Sequence, residues 1–130
     1  AWSGLDPKTT IGHVHLHVSD LGKAEAFYRD LLGFDITQRS YPGALFLSAG
    51  GYHHHVGVNI WAGRGAPPPP SDAAGLIAFA VRVPDRDAWQ AVVDRLVEAG
   101  RRVEPQRADN GGAASLVHDP DGNGVILVSD

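Results

Sequence analysis

Three histidines, His13, His15 and His17, alternate with Val14, Leu16 and Val18 near the start of the chain. A strand has a side-chain period of two, so this spacing places the imidazoles on one face and the aliphatics on the other. Neighbouring same-face positions lie about two strand rises apart, and imidazole suits Zn, Fe, Ni or Cu. A second group, His53-His54-His55, opens the alternation Val56, Val58, Ile60. His13 and His15, joined by His55 from that second strand, would make a three-nitrogen metal site able to bind vicinal oxygens or polarise a water. Only alternate members of a strand share a face, so His54 is expected on the helix side or at a rim. The bland reading has equal standing: histidines line cavities, bond carbonyls or act as acid–base groups without any metal. Asn59 and Trp61 can hold a polar or aromatic ligand, or simply cap and pack a sheet. Arg82 can bind a carboxylate or phenolate, or pair with an acid at the site's mouth. His17 and Tyr52 are the candidate proton-moving groups.

The bulk properties narrow the function classes. A chain of 130 residues, 43% hydrophobic and 20% charged, matches one globular domain with a real core. A formal net charge of −4 and scattered arginines argue against a nucleic-acid partner. There are no cysteines, which removes disulfides, thiolate nucleophiles and Cys-based metal sites. A cytoplasmic setting is the expectation that suits such a sequence. No apolar run approaches the ~20 residues of a membrane span, and Ala1-Trp2-Ser3-Gly4 lacks the layout of a signal peptide. Gly63 and Gly65 do not join a strand to a helix as a phosphate loop requires.

The elements that must position these residues follow in order. Residues 1–10 read as a polar arm and 11–18 as a strand. Ser19 or Asp20 caps a helix over 20–32, whose apolar stripe is Leu21, Ala24, Phe27, Tyr28, Leu31 and Leu32, with Gly33 as its stop. Strands are expected at 34–39, 44–48 and 53–61, with turns at 41–43 and 49–51. Residues 62–74, with Pro67 to Pro70, read as a stiff linker. A strand at 76–83 should pack Ile77, Phe79, Val81 and Val83 inward. A helix capped by Asp85 and closed by Gly100 comes next, with Arg101-Arg102 as its solvated end. Strands at 102–107, 114–118 and 125–129 complete the chain, with turns at 110–112 and 119–124, and His118 as a turn residue.

Both halves are β-α-β-β-β, and setting His13 against Ala78 brings Asp20 onto Asp85. The chain is therefore an internal duplication: module one at 11–61, linker at 62–74, module two at 75–130. The fold expected is α+β, with two βαβββ modules in one curved, cup-shaped mixed sheet and helices outside. The concave face would carry His13, His15, His17, His55, Gly57, Asn59 and Trp61 from the first module. The second would add Ala78, Ala80, Arg82, Ile126 and Val128. One polar and one apolar wall suit a ligand cleft.

Three stretches carry a family resemblance. Ile11-Gly12-His13-Val14-His15-Leu16 with Ser19-Asp20-Leu21, Ala26-Phe27-Tyr28-Arg29-Asp30 with Leu32-Gly33-Phe34, and Asp119-Pro120-Asp121-Gly122-Asn123-Gly124 resemble the vicinal oxygen chelate superfamily. That group includes glyoxalase I, extradiol dioxygenases and bleomycin-resistance proteins. The run Leu47 to Gly57 with Asn59-Ile60-Trp61 is similar, more narrowly, to one half of a catechol 2,3-dioxygenase-like protein. The resemblance implies a cup-shaped site for a small-molecule ligand, often in a homodimer, with metal ligands on the first and last strands of each module. His13 occupies the first such position and His55 lies near the second. Ala78 and Ile126 stand where the second module usually offers a histidine and a glutamate, and neither can ligate. The resemblance therefore implies metal-dependent dioxygenase or lyase chemistry on a small aromatic or dicarbonyl compound, with Fe, Zn, Mn or Ni. The alternative is a metal-free protein that sequesters an aromatic natural product, or a degenerate module used for partner binding.

Overall fold

The computed structural model describes residues 1–109 and 111–130. Its strands are β1 (Val14–His17), β2 (Asp35–Gln38), β3 (Ala44–Ser48), β4 (Val56–Asn59), β5 (Ala78–Val83), β6 (Glu104–Arg107), β7 (Ala113–His118) and β8 (Gly124–Ser129). The helical segments are α1 (Leu21–Glu25), continued by a π-helical stretch (Ala26–Leu31), and α2 (Arg86–Glu98). The sheet orders are β1-β4-β3-β2 and β5-β8-β7-β6. In each, the first strand runs parallel to the last, and the remaining neighbours are antiparallel. The same topology thus occurs twice, as the duplication predicts. The hydrogen bonding divides the eight strands into two four-stranded sheets, not one continuous sheet.

Both caps form as the sequence predicts. The Asp20 carboxylate accepts from Lys23 N and that of Asp85 from Ala88 N, each satisfying a helix N–H that has no intrahelical partner. The first helix departs from the expected α-helix. Leu32 N donates to Phe27 O, five residues back, so the turn is widened. Phe27 and Tyr28 are adjacent in sequence, yet both are fully buried, with ring centroids 5.0 Å apart.

One hydrophobic cluster joins the modules. It contains Leu16, Val18, Phe27 and Val58 from the first, and Val92, Leu96, Val125 and Leu127 from the second. The helices are not isolated on opposite outer faces, since α2 touches the π-helical stretch. Polar ties reinforce the join. The Tyr28 hydroxyl donates to Asp119 Oδ2 at 2.9 Å, and Arg95 Nε donates to Leu31 O at 2.7 Å. The Arg101 guanidinium lies 5.4 Å from the Phe27 ring centre, so this residue does more than solvate a helix end. Asp119 also accepts from the backbone N–H groups of Asp121 and Asn123 and from Asn123 Nδ2.

The face assignments hold through most of the strands. Leu16 and Val18, Val56 and Val58, and Val125 and Leu127 are all buried. Ile77 is the exception: expected inside, it is 90% exposed. Pairing of β5 begins one residue later, at Ala78 opposite Gly124, so Ile77 is not held to the strand's alternation. The expected turn at 110–112 falls partly on Asn110, which lies outside the described residues.

Candidate active site

β1 is an edge strand paired in parallel with β4, with His15 opposite Gly57 and His17 opposite Asn59. Leu16 and Val18 anchor the strand in the core, which turns His13 and His15 to the opposite face. There the His15 ring lies flat over Gly57: a Cβ built on Gly57 would stand 2.9 Å from His15 Cε1. Glycine leaves the ring its place, and close approach of this kind is what glycine allows.

The other histidine group does not enter the strand. β4 starts at Val56; His53 and His54 form the approach to it, while His55 is already held on both sides, its N–H donating to Leu47 O and its C=O accepting from Val14 N. His53 and His54 both turn toward His13. A ring nitrogen from each of His13, His53 and His54 lies within 4.8 Å of the other two. The His13 and His54 ring centroids are 4.5 Å apart, and those of His13 and His15 are 5.2 Å apart. His15 and His54 share a hydrogen bond between their Nε2 atoms at 3.2 Å, one ring donating and the other accepting. Burial, then the neighbouring imidazoles, hold the His54 pKa below its ordinary value, which favours the neutral ring that a metal needs.

The sequence-derived candidates divide around this cluster. His13 and His15 belong to it. His55 does not sit in the three-nitrogen group: its Nδ1 accepts from Ala49 N at 3.2 Å, and its ring lies against Tyr52. Tyr52 also contacts the His53 ring, at 4.1 Å between centroids. Asn59 and Trp61 sit at the far end of β4. Asn59 Oδ1 accepts from Trp61 N, and the Trp61 indole donates to Pro42 O beside Tyr41. His17 faces a separate hollow with the linker prolines and Asp121, and its Nε2 is buried without a hydrogen-bond partner. His53 and His54 are the residues that strand parity passes over. The signal available was the length of the histidine run itself, which leaves room for a turn before β4.

A cavity of about 650 Å³ opens between the β1 and β5 edges. His13 and His55 line one side, and Leu76, Phe79, Ala80 and Arg82 the other. Ala80 pairs with Ile126 and Ala78 with Gly124, so this part of the second module offers no nitrogen or carboxylate ligand.

Imidazole nitrogens fit a borderline transition metal. Zn–N bonds of about 2.0–2.1 Å set two ligand nitrogens roughly 3–3.5 Å apart, so the three rings would close from their present spacing of up to 4.8 Å to share an ion. Among the described residues no helix is long and apolar enough to cross a membrane.

Comparison with known proteins agrees with this architecture. A catechol-2,3-dioxygenase of Bacillus subtilis (strain 168) is 54% identical over 104 residues, which is 78% of this chain and 36% of the relative. The chain thus spans little more than a third of that protein. The glyoxalase family protein from Enterococcus faecalis superposes with a TM-score of 0.70 at 28% identity, covering 93% of this chain and 98% of that one. A lactoylglutathione lyase from Agrobacterium tumefaciens gives 0.71 at 23% identity, covering 95% and 96%, a likeness of fold alone. The description "Glyoxalase/Bleomycin resistance protein/Dioxygenase superfamily" belongs to a family model that matches residues 10–127; with two βαβββ modules to support it, the chain is a member of that superfamily.

Proposed function

We propose that this protein carries out metal-dependent dioxygenase or lyase chemistry of the vicinal oxygen chelate type on a small aromatic or dicarbonyl compound. The observation that carries the reading is the convergence of His13, His53 and His54 within 4.8 Å. These three would hold a divalent ion, with His15 fixing the His54 ring through their shared hydrogen bond. When bound, such an ion supplies Lewis acidity and a docking point for two adjacent oxygens. The cavity beside His13 takes the rest of the compound against Val14, Val56 and Phe79. Tyr52, whose ring packs on His53 and His55, would move a proton. A homodimer belongs to the same reading. Ile11 and Leu76, which line the cavity, are 84% and 58% exposed, the adjacent Ile77 is 90% exposed, and a second copy would cover them.

The test is metal titration of chelator-treated protein with Fe(II), Zn(II) and Co(II), followed by calorimetry and by the visible spectrum of the Co(II) form. Wild type should bind one ion per chain. His13→Ala and His54→Ala should each lose the site, and His55→Ala should keep it. Equal metal uptake by wild type and His13→Ala would sink the ligand assignment. The second reading, a metal-free binding protein, is favoured by one observation: Ala78 and Ile126 offer no ligand from the second module. It predicts ligand binding without metal uptake.

A further inference from the structure

We infer that the compound bound in the β1–β5 cavity carries a carboxylate, held by Arg82. This names the substrate class of the site proposed above and rests on that reading for the identity of the cavity as the substrate site. The cavity lining is predominantly apolar, with His13, His55 and Arg82 as its titratable members and no acidic side chain. Arg82 is thus the permanently charged side chain among the residues that line this cavity. Arg82 lies on the β5 face opposite the core, with Ala80, and both are exposed while Phe79 and Val81 pack inward. The small side chain of Ala80 leaves the space beside Arg82 open, and an aromatic ring can enter it alongside Leu76.

The present partner of Arg82 does not block this role. Its Nη1 donates to Asp130 Oδ1, and both side chains are 65% exposed. Exposed ion pairs contribute little net free energy, because water and salt screen them. A planar carboxylate that enters the cavity can engage the guanidinium in two parallel hydrogen bonds, where the Asp130 contact uses one. Such a ligand displaces the Asp130 contact at small cost. A neutral amide of the same shape gains none of the charge. The specificity expected is therefore for aromatic acids over their amides, at equal ring size and equal apolar burial.

The experiment compares 3,4-dihydroxybenzoate, 3,4-dihydroxybenzamide and catechol by calorimetry on the full chain, both chelator-treated and metal-loaded. The acid should bind roughly 10- to 100-fold more tightly than the amide. Arg82→Gln should weaken the acid far more than the amide and so abolish that difference. Asp130→Asn, which removes the competing carboxylate, should tighten the acid alone. Equal affinity for acid and amide in wild type, no binding of the acid, or unchanged acid binding in Arg82→Gln would each overturn the inference. The chelator-treated arm separates the two ideas: an Arg82-dependent preference for the acid there stands even if the protein takes up no metal. Metal uptake without any preference for the acid leaves the metal reading intact and removes this one.

Discussion

Gly57→Ala tests whether His15 is held in place for the sake of its neighbours. The new Cβ would sit 2.9 Å from His15 Cε1 and 3.0 Å from its Nδ1. Carbon atoms pack best at about 3.5–4.0 Å, so one side must yield. The backbone of Gly57 cannot, because β4 is paired on both sides, to His15 of β1 and to Phe46 of β3. The exposed His15 ring must rotate instead, and this breaks its 3.2 Å bond to His54. A hydrogen bond of this kind contributes about 0.5–1.5 kcal/mol and an off-rotamer side chain costs about as much, so stability should fall by roughly 1–3 kcal/mol. The larger effect should be on metal affinity: losing a group that orients a ligand typically costs about 10- to 100-fold. The assay is a double-mutant cycle of Gly57→Ala with His15→Ala, read by urea denaturation and Co(II) titration. If glycine acts through His15, adding Gly57→Ala to His15→Ala should change neither quantity further. Additive losses would refute the argument, as would a Gly57→Ala single variant with wild-type stability and affinity.

Two further perturbations probe the join between modules and the charge state of the cluster. Tyr28→Phe deletes the hydroxyl that donates to Asp119 Oδ2 in a fully buried position. A bond to a charged acceptor contributes about 1.5–3 kcal/mol, and Asn123 Nδ2 still serves the same oxygen, so a loss near the lower end is expected in urea melts. An unchanged midpoint would show that the tie does not hold the modules together. For His54 the pKa lies below the ordinary 6.5, through burial first and the surrounding imidazoles second. Its depressed folded-state pKa contributes stability that is complete above pH 6.5 and is lost as pH falls through the folded pKa. Metal-free protein should therefore lose stability as pH falls below 6.5, and His54→Asn should flatten that slope. A slope that is unaltered in the variant would count against the assignment.

Where the chain is regular, its pattern is legible. Asp20 and Asp85 announce helix starts by residue type and by the apolar stripes that follow, and both caps form. The alternation of Val125 and Leu127 with Ile126 and Val128 fixes the faces of β8 without reference to anything distant. Parity failed where a strand had not yet begun. His53-His54-His55 runs directly into Val56 with no break in polarity that marks the ladder's start: His55 keeps its expected place beside His13 in the cavity lining, but His54, expected on the helix side or at a rim, turns to His13. Ile77 misled for the same reason at the start of β5. Long-range polar contacts left no local trace at all. Tyr28 reads as one more apolar position of a helical stripe, and Asp119 as one more turn residue 91 positions away.

The duplication explains why the candidate chemistry is divided. Both modules keep the same ladder, the same capping aspartate and the same glycine stop, since these hold each fold unit together. On the open face no such constraint acts, and the two copies differ. The first module carries the cluster of His13, His15, His53 and His54, with the His15 ring against Gly57, a position where a Cβ would displace it. The second places Ala78, Ala80 and Ile126 at the corresponding places and contributes Arg82. On the proposed reading, a metal held beside His13 and a carboxylate held by Arg82 would fix a small aromatic acid at both ends of one cavity. Neither contact would do so alone. The buried Tyr28–Asp119 bond, the Arg101–Phe27 contact and the shared core fix the two modules against each other. Weakening that join should therefore loosen binding of the acid even though Tyr28 does not line the cavity.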